Sequence, residues 1–257
     1  MGFKMLTLTE KQIEAFNCDG FIKLSKLVDL NIVNQMVALT DQFMLDNIPP
    51  IEYEAQLGYP GAPADPEATG GKTIRRFLRA MSRHPLFLDW ATSPDVITLL
   101  RPLLGPQIVM PLAHHNCIMV KDPRFSSDTG WHQDIRFWGF ERPDLVSTLL
   151  ALNQANTENG CLRFLPGTHR MTFRPEQLDE NKFLRSDLPE NQPLLETEVG
   201  IEMQPGDVIF FHCTAFHAAS RNRSNVARKS VLFTYRPQDN PPIPKTRSAS
   251  LPELLLP

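Results

Sequence analysis

Apolar residues in the first hundred positions recur at helical spacing, and from about residue 107 they change to short alternating runs. Residues 7–16 read as a first helix, for which Thr7 with Glu10 and Thr9 with Gln12 are equally good capping boxes. Asp19-Gly20 is a turn, and Phe21-Ile22-Lys23-Leu24 is a short strand. A second helix is expected over about 29–46, with Leu30, Val33, Val37 and Met44 along one face. The stretch 48–71 holds Pro49-Pro50, Ala62-Pro63, Asp65-Pro66 and Gly70-Gly71 and reads as a long loop, of the kind that often serves as a lid. A helix is expected from Lys72 to about Ser82, and Ser93-Pro94 opens another, with serine as cap and proline in the first turn. Eight short runs follow, at 107–121, 130–136, 145–154, 161–165, 198–203, 207–212, 215–220 and 228–236. Strands at this spacing suggest a jelly-roll or barrel. The polar, proline-bearing stretch 171–195 reads as an insertion between strands.

Composition narrows the class. The chain has 257 residues, 42% of them hydrophobic, with 23 Pro against 13 Gly, so many loops and few long helices are expected. We read one domain over 1–257: a helical N-terminal part to about 105, a jelly-roll core over about 106–236 and a proline-rich tail over 237–257. The net charge of -3 argues against a nucleic-acid coat and against a polybasic membrane binder. No apolar run approaches the roughly 18 residues of a membrane span. The stretch from Met1 to Leu6 lacks the apolar run of a signal peptide. Cys18, Cys117, Cys161 and Cys213 are scattered with no CxxC, so reduced thiols and a cytoplasmic setting are expected.

The candidate chemistry begins at Trp131-His132-Gln133-Asp134. Strand alternation puts His132 and Asp134 on one face, where an imidazole and a carboxylate can supply two ligands to a divalent metal. A third ligand must come from another strand. Two histidines and one carboxylate on one octahedral face leave the opposite face open, the arrangement of non-haem Fe(II) oxygenases. The tripeptide alone is a weak signal. Downstream, Pro205-Gly206-Asp207 turns into an apolar strand, 221–225 is a polar hairpin turn, and Arg228 falls on the next strand, eleven residues after His217. Antiparallel pairing would bring Arg228 near His217. An inward arginine needs a carboxylate or phosphate partner, either a ligand or a core acid. Other histidines compete for notice. His212 is a rival third ligand, only one of His114 and His115 can face inward, His169 reads as closing a loop, and His84 as superficial. The run Lys72, Arg75, Arg76, Arg79, Arg83 is a solvated helix face or a patch for an anionic substrate. Phe137, Trp138 and Phe140 are candidates for an apolar wall.

Taken together, Gly130-Trp131-His132-Gln133-Asp134, the stretch from Asn156 to Arg170 with its Glu158-Asn159-Gly160 and Leu165-Pro166-Gly167-Thr168-His169, Pro205-Gly206-Asp207, and His217 with Arg228 resemble the phytanoyl-CoA dioxygenase family of iron(II)- and 2-oxoglutarate-dependent oxygenases. The resemblance covers nearly the whole chain. It implies a double-stranded β-helix, a cupin-like jelly-roll with flanking helices. It implies His132, Asp134 and His217 as iron ligands and Arg228 as the partner of the distal carboxylate of 2-oxoglutarate. Trp138 matches an aromatic of the co-substrate pocket, and Lys72 a basic residue near the co-substrate. Relatives often carry Ser two residues after the distal histidine; Ala219 stands there, with Ser220 as the candidate replacement. The implied reaction uses Fe(II), 2-oxoglutarate and O2 to hydroxylate a small-molecule substrate, giving succinate and CO2. Halogenating relatives have a small residue in place of Asp134, so hydroxylation is expected, with desaturation or ring closure as variants. The rival readings are a cupin-like metalloenzyme without 2-oxoglutarate and a non-catalytic binding protein.

Overall fold

The computed structural model describes residues 6–257, so Met1 to Met5 of the N-terminal reading lie outside it. The chain opens with α1 (Glu10–Asp19), β1 (Phe21–Leu24) and α2 (Leu30–Asp46). Thr9 is the cap of α1: it accepts from the Gln12 amide, and the Gln12 side chain answers to the Thr9 amide at 2.8 Å. Asp29 caps α2, and Asn47 closes it in the left-handed region.

The next stretch differs from expectation. It holds β2 (Ile51–Tyr53), a 3-10 turn over 54–56, and β3 (Ile74–Leu78), where a helix was expected from Lys72. Charges three and four apart imitated a helical face. The residues instead pair across strands, Glu52 opposite Arg76 and Phe77 opposite Ile118, with Arg75 and Phe77 buried. Then come α3 (Pro85–Ala91) and α4 (Pro94–Leu104), capped by His84 and Ser93. His84 therefore has a structural task, its Nδ1 accepting from the Leu86 amide at 3.2 Å.

The remaining strands are β4 (Ile108–Pro111), β5 (Asn116–Lys121), β6 (Thr129–His132), β7 (Val146–Ala151), β8 (Leu162–Phe164), β9 (Val199–Gly200), β10 (Val208–His212), β11 (His217–Ala219), β12 (Arg228–Pro237) and β13 (Glu253–Leu255), with α5 (Gln192–Leu195) before β9. They form an antiparallel jelly-roll. The large sheet runs β1-β10-β7-β12-β5-β3-β2, with β4 on β12 and β13 on β4; the small sheet runs β6-β11-β8-β9. The tail is therefore not a mere terminus beyond the barrel, because β13 extends the large sheet and Leu256 is buried.

Alternation sorts the large sheet into two faces. Phe77, Ile118, Phe210, Val231 and Phe233 pack under the helices against Val33, Met36, Phe87, Leu99 and Leu100. Cys117, Leu149, Phe211 and Leu232 face the small sheet and meet Leu162, Phe164 and Ala219. The stretch 171–195 covers the outside of the small sheet, where Phe173, Leu178, Leu184 and Leu194 pack on Trp131, Phe216 and Ala218. The jelly-roll thus has a covering layer on each side.

Candidate active site

His132 ends β6 and His217 begins β11, and the register sets them directly opposite. Their rings lie 4.2 Å apart. Each Nδ1 faces a carbonyl two residues back, Gly130 at 2.9 Å and Ala215 at 3.1 Å, which fixes the ring and leaves Nε2 free to ligate. Gln133 stays extended, so Asp134 comes up on the same side before the chain turns into a 3-10 segment over 134–137. Asp134 Oδ1 lies 3.8 Å from His132 Nε2 and 3.6 Å from His217 Nε2. Ligands each about 2.1 Å from one ion can stand up to about 4.2 Å apart, so these separations suit a shared metal. The three side chains each offer one ligand atom within 4.8 Å of the others.

The electrostatics suit a cation. Burial holds His132 and His217 well toward the neutral form, the form that ligates, and for His132 the neighbouring His217 and Arg136 add to this. The Asp134 carboxyl is held below the usual carboxylate range, because His115 and His217 beside it outweigh the effect of burial. His115 Nε2 is 2.9 Å from Asp134 Oδ1. Burial pushes His115 down, but Asp134 outweighs this and raises it to about 9.

A cavity of about 380 Å³ contains this cluster. Alternate residues His115, Cys117, Met119 and Lys121 line it, so β5 runs along its length, about 20 Å at roughly 3.3 Å per residue. At the far end β12 brings Arg228 opposite Lys121. Arg228 is 5% exposed. Its Nη1 donates to the Gly160 carbonyl, and its Nε is buried without a partner. Gly160 has φ +77°, and a side chain there would run into the Ser220 carbonyl, so glycine is required where the arginine is anchored. Burial with no facing carboxylate lowers Arg228 to about 10. Lys121 donates to the carbonyls of Ser127 at 2.8 Å and Ala219 at 3.3 Å, and burial, with Arg228 and Arg75 beside it, holds its amine well below the usual lysine range. Arg75 spans Glu54 at 3.1 Å, Ser127 at 2.8 Å and Thr129 at 2.9 Å.

The other sequence candidates divide. Trp138 lines the cavity, but at the end away from Arg228, stacked on His114 at 4.4 Å and edge-on to His115 at 5.1 Å. Lys72 is not brought to the cavity: its side chain is exposed and pairs with Glu67 at 3.5 Å, because its neighbours form a strand that turns Arg75 inward instead. Ser220 is not among the lining residues either, since the alternation of β11 turns His217 and Ala219 to the cavity. Both His114 and His115 line the cavity, where only one was expected: His115 continues the alternation of β5, while His114, before the strand, is not bound by it. His212 is outside the cluster, its ring toward His169 and its Nδ1 on Thr214 Oγ1 at 2.6 Å. Lys121, Tyr59, Arg136 and Phe183 are lining or bordering residues that the sequence reading passed over. A lysine in an otherwise apolar strand was the available signal for Lys121; the others come from loops.

Residues 16–230 match the family model described as Phytanoyl-CoA dioxygenase (PhyH). The chain belongs to the phytanoyl-CoA dioxygenase family. That family is one of iron(II)- and 2-oxoglutarate-dependent oxygenases. The peroxisomal phytanoyl-CoA dioxygenase of Homo sapiens is 29% identical over 161 residues, 58% of this chain and 46% of that protein. A probable alpha-ketoglutarate-dependent hypophosphite dioxygenase of Stutzerimonas stutzeri is 26% identical over 203 residues, 74% of this chain and 69% of that protein. The chain spans about half the length of the first curated relatives that it matches. In fold it is similar to EctD from S. alaskensis with 2-oxoglutarate and 5-hydroxyectoine, at a TM-score of 0.74 and 21% identity over 95% of this chain and 81% of that one. It is also similar to the epimerase SnoN in complex with Fe3+, alpha ketoglutarate and nogalamycin RO, at a TM-score of 0.73 and 18% identity over 91% and 86% of the two chains. Among the described residues of this family member no helix is long and apolar enough to cross a membrane.

Proposed function

We propose that the chain is an Fe(II)- and 2-oxoglutarate-dependent dioxygenase that hydroxylates a C–H bond of a small molecule. His132, Asp134 and His217 would hold the iron, and Arg228 the distal carboxylate of 2-oxoglutarate. The donor set fits the group: two neutral imidazoles and one ionised carboxylate leave coordination positions for a chelating co-substrate and dioxygen. When bound, iron couples decarboxylation of 2-oxoglutarate to succinate and CO2 with oxidation of the substrate. The protein's own work is positioning. The carbonyls of Gly130 and Ala215 orient the two histidines, Arg228 supplies the positive charge at the far end with the Lys121 amine beside it, and Phe183 with the 171–195 cover limits water at His132. Asp134 occupies the place that a halide would need, which favours hydroxylation.

One observation carries the reading: a buried arginine with an unused Nε shares a cavity with a two-histidine, one-carboxylate cluster. A cupin-like enzyme without 2-oxoglutarate has no use for that arginine, and a non-catalytic relative has no use for the cluster. The buried free thiols Cys117, Cys161 and Cys213 suit a reducing compartment such as the cytoplasm. The test is calorimetric titration of 2-oxoglutarate into metal-loaded protein, together with succinate release by the iron-loaded protein under air. Wild type should bind and turn over the co-substrate, and Arg228→Ala should lose at least about tenfold in its affinity while retaining the metal. Absence of 2-oxoglutarate binding by the metal-loaded wild type would sink the proposal.

A further inference from the structure

Most basic side chains around the cavity have a partner or an assigned role. Arg75 is held by Glu54, Arg76 by Glu52 at 2.7 Å, Lys121 by two carbonyls, and Arg228 faces the co-substrate end. Arg136 is different. It stands two residues after Asp134 on the same 3-10 turn and lines the cavity. No acidic side chain among the described residues pairs with it. Its Nη2 donates to Tyr59 Oη at 3.1 Å, while its Nη1 is buried with no hydrogen-bond partner.

The guanidinium is also held in place. It lies 4.2 Å from the Phe183 ring and 5.4 Å from the Phe137 ring, and the Arg136 carbonyl accepts from Lys182 Nζ at 2.8 Å. Phe137 is 55% exposed, which puts this turn at the open end of the cavity. Lys182, 5.3 Å from the Phe137 ring, and the exposed Arg247 add positive charge there, and neither is ion-paired among the described residues. A fixed, forked donor with a free buried nitrogen is complementary to an oxyanion, and aromatic rings on both sides are complementary to an apolar body.

We infer that Arg136 binds an oxyanion of the substrate, a carboxylate or a phosphate, at the mouth of the cavity, with the substrate's apolar part against Phe137, Trp138 and Phe183. The inference rests on reading the cavity as the substrate chamber of an oxygenase, and it names the class of substrate that chamber takes. The basic run at 72–83 is not the source of this preference, because Arg75 and Arg76 spend their charge on Glu54 and Glu52.

The test uses protein loaded with Zn(II) and saturated with 2-oxoglutarate, so that the Arg228 end is filled. Aryl-alkyl carboxylic acids, phosphates and primary amides with matched bodies are compared by calorimetry and ligand-observed NMR. The anionic probes should bind about tenfold or more tightly than their amides. Arg136→Gln should abolish the difference, and Arg136→Lys should keep part of it. The stronger of the carboxylate and phosphate series identifies the oxyanion. Equal binding of acids and amides, a preference that survives in Arg136→Gln, or no binding of any anionic probe to wild type overturns the inference. If 2-oxoglutarate itself does not bind, the oxygenase reading fails; the comparison repeated in Arg228→Gln protein without co-substrate then still reports on Arg136.

Discussion

Arg228 is buried opposite Lys121 with one nitrogen on a carbonyl and another without a partner. Such a group holds back stability in the free protein, since replacing buried charges by apolar side chains is often neutral or stabilising by about 1–4 kcal/mol. Arg228→Leu should therefore leave the unfolding midpoint of the free protein unchanged or higher. Saturating 2-oxoglutarate at about 100 times the wild-type Kd should stabilise wild type by about 2.7 kcal/mol and the variant by no more than about 1.4 kcal/mol, as read by thermal denaturation of the metal-loaded forms. His212 makes a separate case. Burial and the nearby His169 lower it to about 4. The folded form stays neutral while the unfolded chain takes up a proton below about 6.5. The stability it contributes is therefore complete above pH 6.5 and is lost as pH falls toward 4. In that window His212→Gln should flatten the dependence of unfolding free energy on pH by up to about 1.4 kcal/mol per pH unit. Denaturant melts at several pH values would show this, and an unchanged slope would count against it. At this scale the sequence was informative where a motif is contiguous, as at His132 and Asp134. It was uninformative for His115, whose meeting with Asp134 depends on where the loop before β5 ends.

The pair β2 and β3 shows what an element adds to its residues. Glu54 is fully buried just after β2 and holds both Arg75 of β3 and the Ser127 hydroxyl. Removing one member of a buried ion pair costs about 3–5 kcal/mol because the other charge stays behind. Glu54→Ala should lose stability of that order in urea melts, whereas a change at the exposed Glu67, the partner of Lys72, should fall within about 0.5 kcal/mol. The helices at 10–19, 30–46 and 94–104 were legible because their caps and apolar faces are local. The strand β3 was not, because its acidic partners lie more than twenty residues upstream and only the sheet brings them together. The stretch 171–195 hid its role for the same reason. Its polar residues face water, and a few apolar ones, Leu184 among them, decide that it covers the small sheet.

For the whole molecule, the eight alternating runs were enough to read a jelly-roll, while the order of strands within it was not legible. The order has a consequence in time. β12 is buried along its entire length and is bonded to β7 on one side and β5 on the other. It also follows β1, β2, β3, β5, β7 and β10 in the sequence, so it leaves the ribosome after them, at about 5–20 residues per second. Until residue 237 has emerged, β1-β10-β7 and β5-β3-β2 are two half-sheets, each presenting an open edge to other chains. A chain truncated at 227 should therefore accumulate as aggregates, and the longer chain should depend on chaperones until β12 arrives. Pelleting of the truncated form under conditions where the full chain stays in the supernatant would show it; a monomeric truncated form would refute it. The strand that delivers Arg228 to the cavity thus also sets the moment at which the nascent protein stops being adhesive.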